Sequence, residues 1–304
     1  MTKLLGKVLV LGEVLFDVFE DERKLGGAPF NFSYHLHHLG IPTTFVSRVG
    51  RDKMGLEILD FIKKQGWLEG GLQIDPEKPT GEARVSPYAF GGPRFEILID
   101  RAWDYIENGD FLESLETPSL IYFGTLAQRG SVSRQTIIKY LKNKKDESTV
   151  FLDLNLREPF YDFGIVENSL SICDILKVNA RELDVIRSLL DLDYYFGTNS
   201  LVDHLHREYD IAGIYVTRGD QGCEFYERGE PIPLKQPASL TDEFQDSVGA
   251  GDAFSAVLAL GTMRKWEAEV ILARASLFAS KICTIKGSLP STLDFYTFSR
   301  SFDD

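Results

Sequence analysis

Ile175-Leu-Lys-Val-Asn179 runs without a break into Ala180-Arg-Glu-Leu-Asp-Val-Ile-Arg-Ser-Leu-Leu190. The first five residues are nearly all apolar, as in a strand covered on both faces, and the rest read as a helix entered at a polar residue. The same unit recurs outward from this point. Lys7-Val-Leu-Val-Leu-Gly12 is a short apolar run, and Thr43-Thr-Phe-Val-Ser-Arg-Val-Gly50 is a second, followed by a helix over 55–65 that Gly66 can end. A strand over 120–123 precedes a helix over 133–143, with Ser131 or Ser133 as candidate caps, and strands follow at 149–153 and 214–217. Strand alternating with helix is the pattern of an α/β domain built on a mostly parallel sheet. The corners at the carboxyl ends of these strands hold Asp153, Asn155, Arg157, Asn179, Glu182, Thr217 and Gly219. Open α/β sheets bind ligands along that edge.

The chemistry centres on Asp246-Ser-Val-Gly-Ala-Gly-Asp-Ala-Phe254, after which the chain turns apolar through Leu260. A glycine-rich turn entering a buried helix leaves backbone N–H groups unpaired at the positive end of the helix dipole, which is a site for an anion. Asp252 repels such an anion. Either it caps the helix, or it is a base beside a phosphoryl-transfer site. Near the other end of the chain, Leu25-Gly-Gly-Ala-Pro-Phe-Asn31 reads as a tight turn into a helix, with Pro29 near its first position and Gly40 ending it. Asn31 falls in the first turn of that helix. Asp17 stands in an otherwise apolar segment, facing either water or a polar ligand.

Composition narrows the function. The chain has 304 residues, is 43% hydrophobic and 26% charged, and carries a formal net charge of -13. That charge argues against nucleic acid or an anionic membrane surface as partner. Any anionic cofactor must therefore be held by local donors and a metal ion. The three cysteines, Cys173, Cys223 and Cys283, are scattered, which fits a reducing cytoplasm better than zinc or disulfides. Lys7, Glu13 and Asp17 interrupt the apolar N-terminal run and disqualify a signal peptide. His35, His37 and His38 lack a carboxylate at ligand spacing, so a solvated helix surface is expected there rather than a metal site.

Residues 79–103 break the alternation, reading as a hairpin around Gly91-Gly92-Pro93 that is either a cover over a site or a surface excursion. The stretch 266–285 reads as a long tail helix. No G-x-x-x-x-G-K-[ST] loop, G-x-S-x-G elbow or H-E-x-x-H pair is present, and Gly249-x-Gly251 lacks the third glycine of a dinucleotide fingerprint.

Taken in order, six stretches resemble the ribokinase-like (phosphofructokinase-B type) carbohydrate kinases. They are Gly26-Gly27-Ala28-Pro29-x-Asn31, Val49-Gly50-x-Asp52-x-x-Gly55, Asp153-x-Asn155-x-Arg157, Asn179-x-x-Glu182, Thr217-x-Gly219-x-x-Gly222, and Asp246-Ser247-x-Gly249-Ala250-Gly251-Asp252. Ala102-Trp-Asp-Tyr-Ile106 resembles fructokinase-like members. The resemblance implies one ribokinase-like α/β domain over 1–304, with a β-sheet lid from about 13–25 and 79–103. It implies ATP, Mg²⁺ and a K⁺-type ion as cofactors and a small sugar as substrate, and an exposed edge of such a lid would suit a homodimer through the lid. Asp252 would be the base, with Gly249, Ala250 and Gly251 as anion hole and Arg157 near the transferred phosphoryl group. Asp17, Gly26, Gly27, Asn31 and Asn155 would hold the sugar. Asn179, Glu182, Thr217, Gly219, Gly222 and Ser276 would line the nucleotide side, Glu182 meeting Mg²⁺ mostly through water. Asp246 and Ser288 would sit near the monovalent cation. Fructose is the leading substrate. The rivals are ketodeoxygluconate, ribose or a nucleoside on the same fold, or a noncatalytic sugar or nucleotide sensor.

Overall fold

The computed structural model describes residues 7–67, 69–86, 94–192 and 197–302. The chain begins with strand β1 (Val8–Leu11), then sends β2 (Leu15–Val18) and β3 (Arg23–Gly26) away from it as an antiparallel pair. Helix α1 (Ala28–His38) returns to β4 (Thr43–Gly50), and α2 (Lys53–Lys64) leads to β5 (Leu72–Asp75). A second excursion carries β6 (Gly81–Ser86) and β7 (Arg94–Ile97). The short α3 (Asp110–Ser114) precedes β8 (Leu120–Phe123), α4 (Ser131–Lys142), β9 (Thr149–Asp153), α5 (Phe163–Leu170), β10 (Ile175–Asn179) and α6 (Ala180–Leu189). Then come α7 (Thr198–Tyr209), β11 (Gly213–Thr217), β12 (Cys223–Glu227), β13 (Leu234–Gln236), α8 (Ala250–Arg264) and α9 (Ala268–Ile282).

Nine strands form one sheet in the order β13-β12-β11-β10-β9-β8-β1-β4-β5, parallel except where β12 and β13 join. Strand order reverses at β1, so the crevice beyond its carboxyl end is the natural ligand site. The two faces of each strand feed two separate cores. Val8 and Val10 pack with α1, α8 and α9 on one side, while Leu9 and Leu11 pack with the helices of the other. Full burial of such side chains stabilises by roughly 1.5–3 kcal/mol each. The two excursions pair as a four-stranded sheet, β3-β2-β6-β7, which stands apart as a lid. No helix among the described residues is long and apolar enough to cross a membrane.

Several expectations need correction. His35 is not on a solvated surface but fully buried, its Nδ1 2.8 Å from Tyr296 Oη and its Nε2 3.1 Å from the Ser288 carbonyl oxygen. The segment after α9 folds back over that face of α1, which its local pattern could not reveal. Neither Ser131 nor Ser133 caps α4; Gly130 holds that position, and Ser133 Oγ bridges Ile106 N–H and the Trp103 carbonyl instead. The tail helix is shorter than 266–285, because Lys265 in the left-handed region ends α8 and separates it from α9. Thr217 leads not into a helix but, through a 3₁₀ turn, into antiparallel β12. The hairpin tip around Gly91-Gly92-Pro93 lies outside the described residues.

Candidate active site

Asp252 is not a helix cap. Gly249 takes that position with φ 81, and Asp252 sits in the first turn of α8. A Cβ on Gly249 would lie 2.5 Å from Ser288 Cβ, so only glycine fits. Among the first-turn donors, Ala250 N–H points to the Ser247 carbonyl at 3.2 Å, and the helical bonds begin with Ala253 N–H to Gly249 O. The N–H groups of Gly249, Gly251 and Asp252 are therefore the donors left for an anion, whereas that of Ala250, expected among them, is already engaged.

The α1 turn meets this one from across the crevice. Asn31 Nδ2 donates to Asp252 Oδ2 at 2.8 Å, and Ser288 Oγ donates to Asn31 Oδ1 at 3.1 Å. Gly26 ends β3 where a Cβ would come within 3.2 Å of Asp17 Oδ2 and 4.0 Å of Asn31 Oδ1. Gly27, with φ 110, packs so closely on the Glu13 carbonyl that a Cβ would lie 2.8 Å from it. The structure thus brings Asp17, Gly26, Gly27, Asn31 and Asp252 to one place, the lid supplying the first two. Arg157 is exposed in the loop after β9. Its charge nevertheless lowers the pKa of Glu13, Asp17 and Asp252. Asn155, in the same loop, adopts φ 42.

Burial opposes Arg157 and wins. It pushes Asp252 up to about 6, against the hydrogen bond from Asn31, and Asp17 also to about 6. Glu13 goes to about 7, chiefly by burial. Three carboxyls raised by desolvation in one crevice make it the candidate functional site.

On the other side of the α8 turn lies a cavity of about 320 Å³ lined by Thr217, Gly219, Gly222 and Ser276 and walled by Ala250 and Gly251. Leu240 and Phe244, 79% and 63% exposed, line it too, leaving apolar surface for a flat ring. Gly222, at φ 95, is pressed against β13, where a Cβ would sit 2.1 Å from Gln236 O. Ser276 Oγ accepts from Ser239 N–H at 3.0 Å and ties that wall to α9. The α8 turn is thus shared by the crevice and the cavity.

Asn179 and Glu182 do not line this cavity. They form a capping box on α6, Asn179 Oδ1 accepting from Glu182 N–H and Glu182 Oε2 from Asn179 N–H. Glu182 Oε1 accepts from Leu156 N–H at 2.9 Å. Each carboxylate oxygen so keeps one lone pair, and no group of three metal-ligating side chains exists among the described residues. That donor set fits Mg²⁺ arriving with a nucleotide and keeping its waters, as Mg²⁺ prefers. Asp246 accepts from Val248 N–H and Gly287 N–H, both at 3.1 Å, while Ser288 turns its hydroxyl to Asn31.

Two residues of the site went unread in the sequence. Glu13 looked like a charge in an apolar run, although a carboxylate just past the first strand of an α/β sheet is a usable signal. Lys177 looked like part of a strand, yet its ammonium is buried under the α8 turn beside Asp153.

Fold and site together set an acidic crevice and an apolar-walled cavity on either side of the turn that enters α8, at the sheet edge where α/β proteins bind ligands. The model of the pfkB carbohydrate kinases matches residues 6–294. Fructokinase-1 of Zea mays is 27% identical over 243 residues, covering 77% of this chain and 72% of the relative. A sugar kinase of Pyrococcus horikoshii, solved in complex with ATP, superposes with a TM-score of 0.80 at 22% identity, over 96% of this chain and 99% of that one. A double-mutant fructokinase of Vibrio cholerae, solved with fructose, ADP and potassium ion, gives 0.80 at 19% identity, over 98% and 99%. The chain belongs to the pfkB family of carbohydrate kinases, and as such it is an ATP-dependent sugar kinase of ribokinase-like fold.

Proposed function

We propose that the protein phosphorylates a primary hydroxyl of a small neutral sugar, fructose being the leading acceptor, by in-line transfer with Asp252 as general base. The observation that carries this reading is the Asn31–Asp252 hydrogen bond at 2.8 Å, which sets the carboxylate at the seam between crevice and cavity. Asp17 and Asn31 bind sugar hydroxyls, and Gly26 and Gly27 keep the floor clear of side chains. Asp252 accepts the hydroxyl proton as the new bond forms. The N–H groups at Gly249, Gly251 and Asp252, with the dipole of α8, stabilise charge on the phosphoryl group. Such transfer passes through a loose transition state, so positioning and charge stabilisation supply most of the rate. Mg²⁺, when bound with the nucleotide, neutralises phosphate charge; Glu182 and Asn179 would orient its waters. A K⁺-type ion near Asp246 is the further expectation.

Fructose is favoured because curated fructokinases, that of Zea mays among them, align over most of the chain. A panel of hexoses, pentoses, ketodeoxygluconate and nucleosides assayed for ATP turnover tests the reading, with phosphorus NMR locating the ester. Fructose should give the highest kcat/KM and a primary phosphate ester. A higher value for a nucleoside or an acidic sugar overturns the substrate. Sugar binding without turnover by any acceptor overturns the catalytic reading in favour of a sensor.

A further inference from the structure

Lys177 projects from the middle of a parallel strand, where every neighbour in sequence is apolar, and its side chain is 10% exposed. Its ammonium donates to both oxygens of Asp153, at 3.0 and 3.2 Å, and the Asp153 side chain is 1% exposed. Asp153 Oδ2 also accepts from Ser255 Oγ at 2.7 Å and from Tyr122 Oη at 3.2 Å. Ser255 belongs to α8, one turn past Gly251, and its Oγ lies 3.0 Å from the Gly251 carbonyl oxygen. The chain of contacts therefore runs from β10 through β9 to the first turn of α8. Its two ends also meet directly, since a Cβ on Gly251 would be 3.3 Å from Lys177 Nζ.

A buried ion pair is an expensive way to join two strands, and apolar residues of like volume usually serve as well or better. Strand cohesion alone explains neither why the cation lies against Gly251 nor its spare donor. An ammonium has three N–H bonds, two go to Asp153, and no further acceptor is present among the described residues. The spare donor lies where negative charge develops in the proposed transfer. Glu182 and Asp252 also lie within the field of Lys177, Asp252 sharing it with Arg157.

We propose that Lys177 is a positioning residue for phosphoryl transfer, its ammonium fixing the anion-binding turn of α8 on the ends of β9 and β10 and placing positive charge beneath it. This rests on the reading of Asp252 and its turn as the transfer site.

The test uses the full chain with Lys177→Met, the double variant Asp153→Asn/Lys177→Met, and Asp252→Asn in parallel. Melting, kcat, the sugar KM and ATP affinity by calorimetry are measured for each. Lys177→Met should lower kcat about 100-fold, the scale of losing one preorganised stabilising group. The sugar KM and ATP affinity should stay within about threefold, as for an interaction made only in the transition state. The double variant removes both buried charges, so it should melt near the parent while kcat remains low. Recovery of kcat in the double variant, a loss confined to KM or ATP affinity, or failure of both variants to fold would overturn the proposal. If Asp252→Asn also turns over normally, the transfer site itself is misassigned; if only the Lys177 variants do, this inference alone fails.

Discussion

Asp252 must be ionised to take a proton, and its surroundings decide at what pH that happens. Burial raises its pKa to about 6 while the hydrogen bond from Asn31 pulls it down. kcat/KM should therefore rise with pH and level off above about 7, the limb reporting Asp252 coupled to Asp17 and Glu13. Asn31→Leu removes a donor to the ionised form, so the limb should move to higher pH, which a pH–rate profile reads directly. An unmoved limb would mean that Asn31 does not tune the base. Asp252→Asn should cost about 100-fold or more in kcat. In the sequence, Asp252 and Asn31 stood out because each lies beside glycines that make little sense without a ligand. Glu13 and Lys177 did not, because a single charge in an apolar run looks the same whether it faces solvent or a buried partner. His35 failed for the same reason, its partners being Ser288 and Tyr296 in a distant segment.

The parallel strands between helices were legible because each is a short apolar run ending in a polar residue. Strands β5, β12 and β13 were not, being short and partly exposed, so that their pattern merges with that of loops. The junction between sheet and lid depends on Asp52. It caps α2 by accepting from Gly55 N–H, and it accepts from both Thr80 N–H and Thr80 Oγ1, just before β6. Asp52→Ala should lower stability by about 1–3 kcal/mol, the cost of a lost cap and an orphaned donor, read as a lower denaturant midpoint. At the wall of the cavity proposed for the nucleotide, Gly222→Ala combines strain at φ 95 with a collision against Gln236 O. It should lower both the melting temperature and the affinity for ATP, and unchanged ATP affinity would mean that the cavity is not the nucleotide site.

Across the whole molecule, the crevice carboxyls trade stability for readiness. Glu13, Asp17 and Asp252 have folded pKa values above their unfolded ones, so their contribution is full only below the unfolded values of 3.8 and 4.5 and is lost as pH rises through about 6–7. Asp52 and Asp75, held low by backbone donors, act in the opposite sense and lose their contribution as pH falls through the ordinary carboxylate range. Asp252→Asn should accordingly raise the melting temperature of the empty enzyme at pH 8, with the gain shrinking toward pH 4; an equal gain at both pH values would dissociate it from ionisation. A formal net charge of -13 also repels the nucleotide. Modest salt should therefore speed ATP association from very low ionic strength, visible in stopped-flow traces.

The clasp between His35, Ser288 and Tyr296 has a consequence for how the protein comes into being. Helix α1 presents Asn31 to Asp252, and the hydroxyl that orients Asn31 belongs to Ser288. A ribosome makes α1 early and Tyr296 late, and domains fold largely as they emerge. The Gly26–Gly27 turn, the lid and most of the great sheet can thus assemble while Asn31, the partner of the proposed base, is still unheld. Catalytic competence would arrive only once Ser288 and Tyr296 have emerged, after the great sheet is already in place.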